Sequence, residues 1–163
     1  MKAVVLYESL FGNTEAVARA IADGLAPVGE VALARFGEVP QGAVEEADLV
    51  VLGGPTHGWG MTKPASRQRP GGEGYAFGAR EWLEESRQAG GKLVAAFDTR
   101  FARPRWLTGS AALRIARRLR RNGYRLLASP QSFFVLHTEG PLRDGEEDRA
   151  RVWGTEVARR ASK

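Results

Sequence analysis

Short apolar runs alternate with amphipathic stretches along this chain of 163 residues. The candidate strands are residues 2–7, 31–36, 48–54, 92–98 and 124–136. Pro130 marks an interruption or an edge position in the last of them. The strongest runs are apolar throughout instead of alternating with polar residues. This pattern is typical of parallel strands that are covered by helices on both faces.

Helical periodicity fills the intervals between these runs. The candidate helices are residues 14–25, the short segment 44–47, and residues 75–88, 110–122 and 144–160. Residues 55–74 hold five Gly and three Pro, and they predict a long loop. Strands that alternate with helices predict an α/β fold, with a single doubly wound domain over residues 1–163 and a five-stranded parallel sheet. Ligands of such sheets bind beyond the carboxyl ends of the strands.

The loop after the first strand carries groups that bind an anion. Ser9 and Thr14 supply hydroxyls, Asn13 supplies an amide, and Gly12 lies just before the predicted start of a helix. Backbone N–H groups and the helix dipole at such a place favour a phosphate monoester. The loop is neither a Walker loop nor Gly-x-Gly-x-x-Gly, which disfavours a dinucleotide. The alternative is an ordinary turn with an N-cap.

The loop after the third strand places an aromatic side chain beside the same edge of the sheet. Trp59 lies between Gly58 and Gly60 within residues 53–60. A Trp on a flexible loop is suited to stack on a flat heteroaromatic ring. The alternative is that Trp59 packs beneath the long loop.

These two loops together resemble those of the flavodoxin family. Residues 9–14, Ser-Leu-Phe-Gly-Asn-Thr, resemble its phosphate loop. Residues 54–59, Gly-Pro-Thr-His-Gly-Trp, resemble the loop that supplies a ring-stacking residue. The resemblance covers the whole chain in element order and length, and residues 124–136 are similar to the short-chain type. It implies the flavodoxin-like strand order 2-1-3-4-5, with FMN bound where the first and third strands meet, as in that family.

The resemblance also implies which residues contact FMN. The phosphate loop would surround the phosphate, the loop after the third strand would border the ribityl chain and the ring, and the loop after the fourth strand would approach the ring. The implied cofactor-binding residues are Ser9, Leu10, Phe11, Gly12, Asn13, Thr14, Pro55, Thr56, His57, Gly58, Trp59, Asp98, Thr99 and Phe101. No catalytic residue and no metal ligand are implied.

Three features differ from the usual pattern of the family. Phe11 stands where a hydroxyl-bearing residue is usual, which removes one donor to the phosphate. Residues 98–106 lack the Tyr/Gly/Asp pattern that covers the outer face of the ring, where Phe101 or Trp106 would substitute. The chain is basic near the predicted cofactor, whereas electron carriers of the family are typically acidic there.

The net charge of +5 is unevenly distributed. Residues 1–98 carry 9 basic and 13 acidic side chains, whereas residues 99–163 carry 15 and 6. Residues 99–125 hold nine Arg and no acidic residue. Such a block attracts an acidic protein, a phosphorylated ligand or nucleic acid, and the alternative is a solvated helix face. Its loop members Arg100, Arg103 and Arg105 are expected to favour reduction of a nearby flavin.

Composition narrows the classes of protein further. With no Cys, the chain has no disulfide and no thiolate metal site, and its only histidines, His57 and His137, lie far apart in sequence. No apolar run reaches the ~20 residues of a membrane span, and the N-terminal run is shorter than a secretory signal requires. These features predict a cytoplasmic protein without a membrane partner.

We therefore expect an FMN-binding redox protein that transfers electrons through the bound flavin to a redox partner protein, an acidic one. Nucleic acid is disfavoured as a partner. One alternative is a small NAD(P)H-dependent FMN or quinone oxidoreductase, with its substrate under residues 61–74. Another is a non-redox binding module that uses the basic 99–125 surface. An electron carrier is favoured over the oxidoreductase.

Overall fold

The computed structural model describes residues 1–86 and 90–163. Its strands are Lys2–Tyr7 (β1), Glu30–Arg35 (β2), Leu49–Pro55 (β3), Leu93–Phe101 (β4), Arg125–Leu126 (β5) and Gln131–Val135 (β6). Its α-helices are Asn13–Leu25 (α1), Ala43–Glu46 (α2), Ala79–Glu85 (α3), Arg105–Thr108 (α4), Ala111–Arg121 (α5) and Glu146–Ala161 (α6). Short 3₁₀ turns lie at Ala26–Val28 and Pro64–Arg67.

The strands pair in parallel in one sheet with the order β2-β1-β3-β4-β5. β6 pairs with β4 beyond β5, so that β5 and β6 together take the fifth position. The α/β fold class and the strand order 2-1-3-4-5 are confirmed. The predicted last strand is divided at residues 127–130, where Pro130 has no N–H to give to a ladder.

Helices cover both faces of the sheet. α1 and α6 cover one core, which includes Ile21 and Phe97, and α3 and α5 cover the other, which includes Leu83 and Leu119. A Cβ at Gly154 would lie 2.5 Å from the Ile21 carbonyl oxygen, so a residue without a side chain permits the close approach of α6 to α1. Of the helices in the described ranges, none is long and apolar enough to cross a membrane.

The fourth strand is longer than the sequence predicted. It runs to Phe101, whereas the apolar run ended at Asp98 and residues 99–108 were expected to form a loop. β6 accounts for the difference, because residues 99–101 continue the parallel ladder by pairing with residues 133–135. The rest of the expected loop contains the short helix α4.

The helix predicted at residues 75–88 begins at Ala79. The Gly78 N–H donates to a carboxylate oxygen of Glu81 at 3.0 Å, and this contact fixes the start of the helix. Residues 75–77 belong to the segment that precedes it. The predicted end at residue 88 lies outside the described residues.

Candidate cofactor site

The loop after β1 leads into α1, and the residue at the start of this helix provides no side-chain cap. Gly12 precedes the helix with a left-handed φ of +85°, and it has no side chain to accept from the first turn. The Ser9 hydroxyl oxygen accepts from the Gly12 N–H at 3.1 Å, which closes the loop on itself. Within the described ranges, the first N–H groups of α1 therefore have no side-chain acceptor, and they form a place for an anion.

Two contacts fix the other polar side chains of the loop. The Thr14 hydroxyl lies 2.7 Å from the Thr99 hydroxyl, and both residues are buried. The Asn13 side-chain amide donates to the Glu139 carbonyl oxygen at 3.0 Å. The phosphate loop is thereby joined to β4 and to the segment that follows β6.

A cavity of about 310 Å³ opens at the carboxyl ends of β3, β4 and β6. Its volume lies at the low end of the range of about 300–1,000 Å³ that is usual for small-molecule sites. Seven of the predicted cofactor-binding residues line it: Pro55, Thr56, His57, Gly58, Trp59, Thr99 and Phe101. This is the edge at which open parallel sheets bind their ligands.

Trp59 is held at the cavity by its backbone. The residue is 57% exposed and has a left-handed φ of 73°, which is uncommon for a residue other than glycine. Its carbonyl oxygen accepts from Arg114 Nε at 3.0 Å, and a Cβ at Gly109 would lie 2.2 Å from the same oxygen. Strained backbone that is fixed in this way is typical of binding sites. The exposure argues against the alternative in which Trp59 packs beneath the long loop.

The two candidates for a second ring-covering side chain lie in different places. Phe101, the last residue of β4, lines the cavity and is 38% exposed. Trp106, in α4, is 74% exposed and is not one of the residues that line the cavity. The structure therefore brings Phe101, rather than Trp106, to the cavity that Trp59 borders.

Asp98 is not one of the residues that line the cavity. Its carboxylate is buried, and Oδ2 accepts from the Thr56 hydroxyl at 3.0 Å, the Ser110 hydroxyl at 2.6 Å and the Ala112 N–H at 2.9 Å. The Thr56 hydroxyl accepts in turn from the Ala111 N–H at 2.9 Å. Asp98 therefore ties the loop after β3 to the start of α5. Its contact with FMN stays a prediction, and the contact that the structure shows is the one with Thr56.

His57 contributes a neutral imidazole to the cavity wall. Burial, and to a lesser extent the positive charge of Arg69, lowers the pKa of His57 below its ordinary value. The imidazole is therefore neutral at pH 7, with one ring nitrogen that donates and one that accepts. Such a ring can bond to either a carbonyl or an N–H group of a flat heterocycle.

Several residues of the cavity were not predicted as cofactor-binding residues. They are Arg69, Arg100, Leu107, Thr108, Val135 and Thr138. Thr138 follows β6 closely, so the rule that ligands lie beyond the carboxyl ends of parallel strands also applies to it. Arg100 was expected in a loop, and it lies instead in β4.

A buried ion pair anchors residues 61–74 to the end of β1. Arg67 is fully buried, with Nε 3.7 Å from Glu8 Oε2 and Nη2 2.7 Å from Glu81 Oε2. The Thr62 hydroxyl donates to the Glu8 carboxylate at 3.0 Å and accepts from Arg67 Nε at 2.8 Å. Burial outweighs the attraction of Arg67 and raises the pKa of Glu8 to about 7.

The phosphate loop also borders a second cavity, of about 390 Å³, whose charged side chains are mostly acidic. It is lined by Leu10, Phe11, Gly12, Glu15, Arg35, Gly71, Glu73 and Glu139. Arg35 lies 3.1 Å from the Glu15 carboxylate and 2.5 Å from the Glu73 carboxylate, so it offsets both of them. Backbone N–H groups, not cationic side chains, are thus the donors that this loop offers to a phosphate.

Comparison with known proteins agrees with this geometry. The chain matches the family model described as Flavodoxin over residues 5–97, which is more than half of its length. It therefore belongs to the flavodoxin family, whose members bind FMN. No curated protein matches the sequence.

Solved structures share the fold along the whole chain. A flavodoxin from the domain Archaea is similar with a TM-score of 0.73 and 23% identity, over 100% of both chains. Oxidised Flavodoxin 2 from Bacillus cereus is similar with a TM-score of 0.70 and 23% identity, over 98% of this chain and 99% of that one. The flavodoxin, WrbA-like protein from Agrobacterium tumefaciens has a TM-score of 0.70 and 18% identity, over 99% and 97%.

The groups present in the site fit FMN. The uncapped start of α1 suits a phosphate, and the cavity between Trp59 and Phe101 suits a flat ring. The contact between Thr14 and Thr99 joins the two places. The individual contacts of FMN with this chain stay predictions.

Proposed function

We infer that this chain is an electron carrier that exchanges electrons with a partner protein through bound FMN. The observation that carries the proposal is the aromatic cavity at the carboxyl edge of the sheet, joined to an uncapped helix start through the hydrogen bond between Thr14 and Thr99. A phosphate site next to an aromatic cavity is the combination that FMN requires. Within this proposal the protein is cytoplasmic.

FMN supplies the electron chemistry when it is bound, and the chain supplies binding and orientation. The first N–H groups of α1 would hold the phosphate. The side chains of Trp59 and Phe101 would pack against the ring, and the neutral imidazole of His57 would bond to one of its polar edges. Asp98 keeps Thr56 in place at the cavity wall.

The position of residues 61–74 supports a carrier over an oxidoreductase. An oxidoreductase needs space above the ring for a nicotinamide or a quinone. Arg67 holds the segment against Glu8 and Glu81, and Arg69 reaches the cavity wall. The cavity of about 310 Å³ is at the lower limit for a ligand site, so it suits one ring system rather than two.

The surface around the cavity suits an acidic partner protein. Trp59, Trp106 and Leu107 expose apolar surface there. The exposed arginines of the neighbouring helix α5 are Arg114, Arg117, Arg120 and Arg121. In the part of the chain that the structure describes, no carboxylate lies within ion-pair distance of any of these four. Positive charge that is not paired within the chain favours docking of an acidic protein.

The first test is an FMN titration of the purified chain, in which quenching of flavin fluorescence reports binding. The proposal expects one FMN per chain, bound more tightly than riboflavin because riboflavin lacks the phosphate. A chain that binds no flavin would instead be a non-redox binding module on this fold, with the basic 99–125 surface as its binding face.

A second test separates the carrier from the oxidoreductase. The oxidised, FMN-loaded chain is mixed without oxygen with a reduced acidic ferredoxin as the electron donor. The carrier takes electrons from the ferredoxin, which bleaches its flavin, whereas NADPH added to the oxidised chain does not bleach it. Rapid bleaching by NADPH would show that the chain is an oxidoreductase.

A further inference from the structure

Arg100 is a buried cation in the wall of the flavin cavity. The residue is 8% exposed and lines the cavity. Nε donates to the Ser132 hydroxyl at 3.0 Å. Nη1 donates to the carbonyl oxygens of Phe101 at 3.1 Å and Arg103 at 2.6 Å, and to the Thr108 hydroxyl at 3.1 Å. Every one of these acceptors is a neutral group.

The charge of Arg100 is not neutralised by a contact. Within residues 1–86 and 90–163, no carboxylate lies within ion-pair distance of its guanidinium. Asp98 attracts it at longer range and offsets part of its charge, but no Asp98 oxygen lies within ion-pair distance of the guanidinium. Burial lowers the pKa of Arg100, yet a guanidinium keeps its proton in proteins. Its charge is therefore offset only in part, and dissolved ions screen a buried charge of this kind little.

One donor of Arg100 is left for a ligand. Nε and Nη1 make all the hydrogen bonds described above, and Nη2 has no acceptor in the described part of the chain. The side chain borders the same cavity as Trp59 and Phe101. A ring between those aromatics would have this donor and its positive charge in the wall beside it.

We propose that Arg100 is the anion-binding residue of the cavity and holds the reduced flavin more tightly than the oxidised flavin. This proposal rests on the proposed function. Two electrons from an electron-donor protein and one proton from water convert the neutral oxidised ring to a reduced ring with one negative charge. Arg100 gains a full electrostatic attraction only in the reduced state, so it favours reduction.

The burial of Arg100 separates its effect from that of the surface arginines. Arg103 and Arg105, which were expected to act with it, are exposed. Dissolved ions screen exposed charges, and they screen a buried charge much less. The contribution of Arg100 should therefore persist at high salt, whereas that of the two exposed arginines should disappear.

The test compares Arg100→Gln with the matched variant Arg103→Gln, which removes an exposed charge from the same segment. The affinities for oxidised and reduced FMN are measured at ionic strengths of about 0.01 M and about 1 M, where the Debye length is ~30 Å and ~3 Å. Arg100→Gln should weaken reduced FMN at least tenfold relative to oxidised FMN, which lowers the two-electron midpoint potential by about 30 mV. This change in relative affinity should persist at high salt. The change that Arg103→Gln causes should be present at low salt and disappear at high salt.

Arg100→Lys and the unchanged chain keep the test decisive if Arg100→Gln does not fold. The Lys variant keeps the positive charge but lacks the planar set of guanidinium N–H donors. It should therefore retain most of the preference for reduced FMN. The unchanged chain should bind reduced FMN at least as tightly as oxidised FMN.

Three results would overturn the inference while leaving FMN binding intact. They are tighter binding of oxidised FMN by the unchanged chain, a Lys variant that behaves like the Gln variant, and an Arg100→Gln effect that is lost at high salt. Failure of the unchanged chain to bind any flavin would overturn the proposed function itself.

Discussion

The hydroxyl oxygens of Thr14 and Thr99 lie 2.7 Å apart in the interior, so one hydrogen bond joins the first turn of α1 to the carboxyl end of β4. Thr14 belongs to the phosphate loop, and Thr99 lines the cavity for the ring. The two halves of the site are thus fixed to each other through a helix and a strand. A site on rigid elements loses little conformational entropy when its ligand binds.

Phosphate binding at the start of α1 depends on the backbone of Gly12. A Cβ at Gly12 would contact nothing within 4 Å, so Gly12→Ala adds only the strain of a left-handed φ, about 1 kcal/mol. That strain shifts the N–H groups that would hold the phosphate. We expect Gly12→Ala to weaken binding of FMN severalfold and to leave riboflavin binding almost unchanged, as measured by fluorescence titration.

Gly145 provides the matched control for Gly12. It precedes α6 with a φ of +80° and also has open space around its Cβ position. Gly145→Ala should cost a similar free energy of unfolding without any selective loss of FMN. Equal losses of FMN and riboflavin in Gly12→Ala would mean that the phosphate lies elsewhere.

Stacking at the cavity depends on Trp59. We expect Trp59→Ala to weaken FMN by about 0.5–1.5 kcal/mol beyond the loss of buried area, and to restore emission from flavin that stays bound. Trp106→Ala removes an even more exposed indole from outside the cavity, so it should change neither quantity. The reverse pattern would move the stacking role to Trp106.

The parts of the site that could be predicted from sequence are local. Residues 9–14 follow an apolar run and precede an amphipathic one, so a strand, a loop and a helix start are all marked within a few residues. The Gly residues around Trp59 mark a loop in the same way. Ligand position then follows from the parallel sheet, because the loops after neighbouring strands meet at one edge.

The features that could not be predicted depend on contacts between distant parts of the chain. The extension of β4 to Phe101 requires β6, whose Val135 pairs with it. The burial of Arg67 requires Glu8 and Glu81 to meet it in space. A basic side chain within a Gly- and Pro-rich stretch is usually exposed, and nothing in the sequence around Arg67 distinguishes it from its exposed neighbours.

The anchor of residues 61–74 can be tested through the stability of the chain. Arg67→Met leaves the buried Glu8 carboxylate without its cation, and we expect it to lower the free energy of unfolding by about 3–5 kcal/mol. In a chain that already carries Glu8→Gln, the same change should cost clearly less, because only Glu81, which is partly exposed, then loses its cation. Urea unfolding of the four variants measures this coupling. An equal cost in both backgrounds would show that Arg67 contributes through packing and Glu81, and not through Glu8.

The raised pKa of Glu8 predicts a stability that depends on pH. Burial raises this pKa to about 7 from its ordinary 4.5, so the folded chain binds the proton more tightly than the unfolded chain does. The resulting stability is fully present below about pH 4.5 and is lost as the pH rises through about 7. Urea unfolding at a series of pH values measures this loss of stability. Glu8→Gln should abolish the loss, whereas Glu38→Gln, an exposed control, should retain it. A fall of the same size in Glu8→Gln would assign the titration to another group.

Docking of an acidic partner should depend on charge next to the cavity and not on net charge alone. Arg105 is exposed in α4, beside the cavity-lining Leu107, whereas Arg159 is exposed in the last turn of α6. Arg105→Glu and Arg159→Glu change the net charge equally. We expect Arg105→Glu to slow electron transfer from a reduced, acidic ferredoxin to the FMN-loaded chain by about tenfold at low salt, because it removes local steering.

Salt and the Arg159 control decide whether this effect is local. Arg159→Glu should leave the rate near that of the unchanged chain, and high salt should remove the difference between the two variants because it screens exposed charges. Equal slowing by both variants would mean that the partner responds to net charge only. No slowing by Arg105→Glu would place the docking face away from α4, because reversing a charge beside the route of electron transfer has to weaken an acidic encounter complex that forms there.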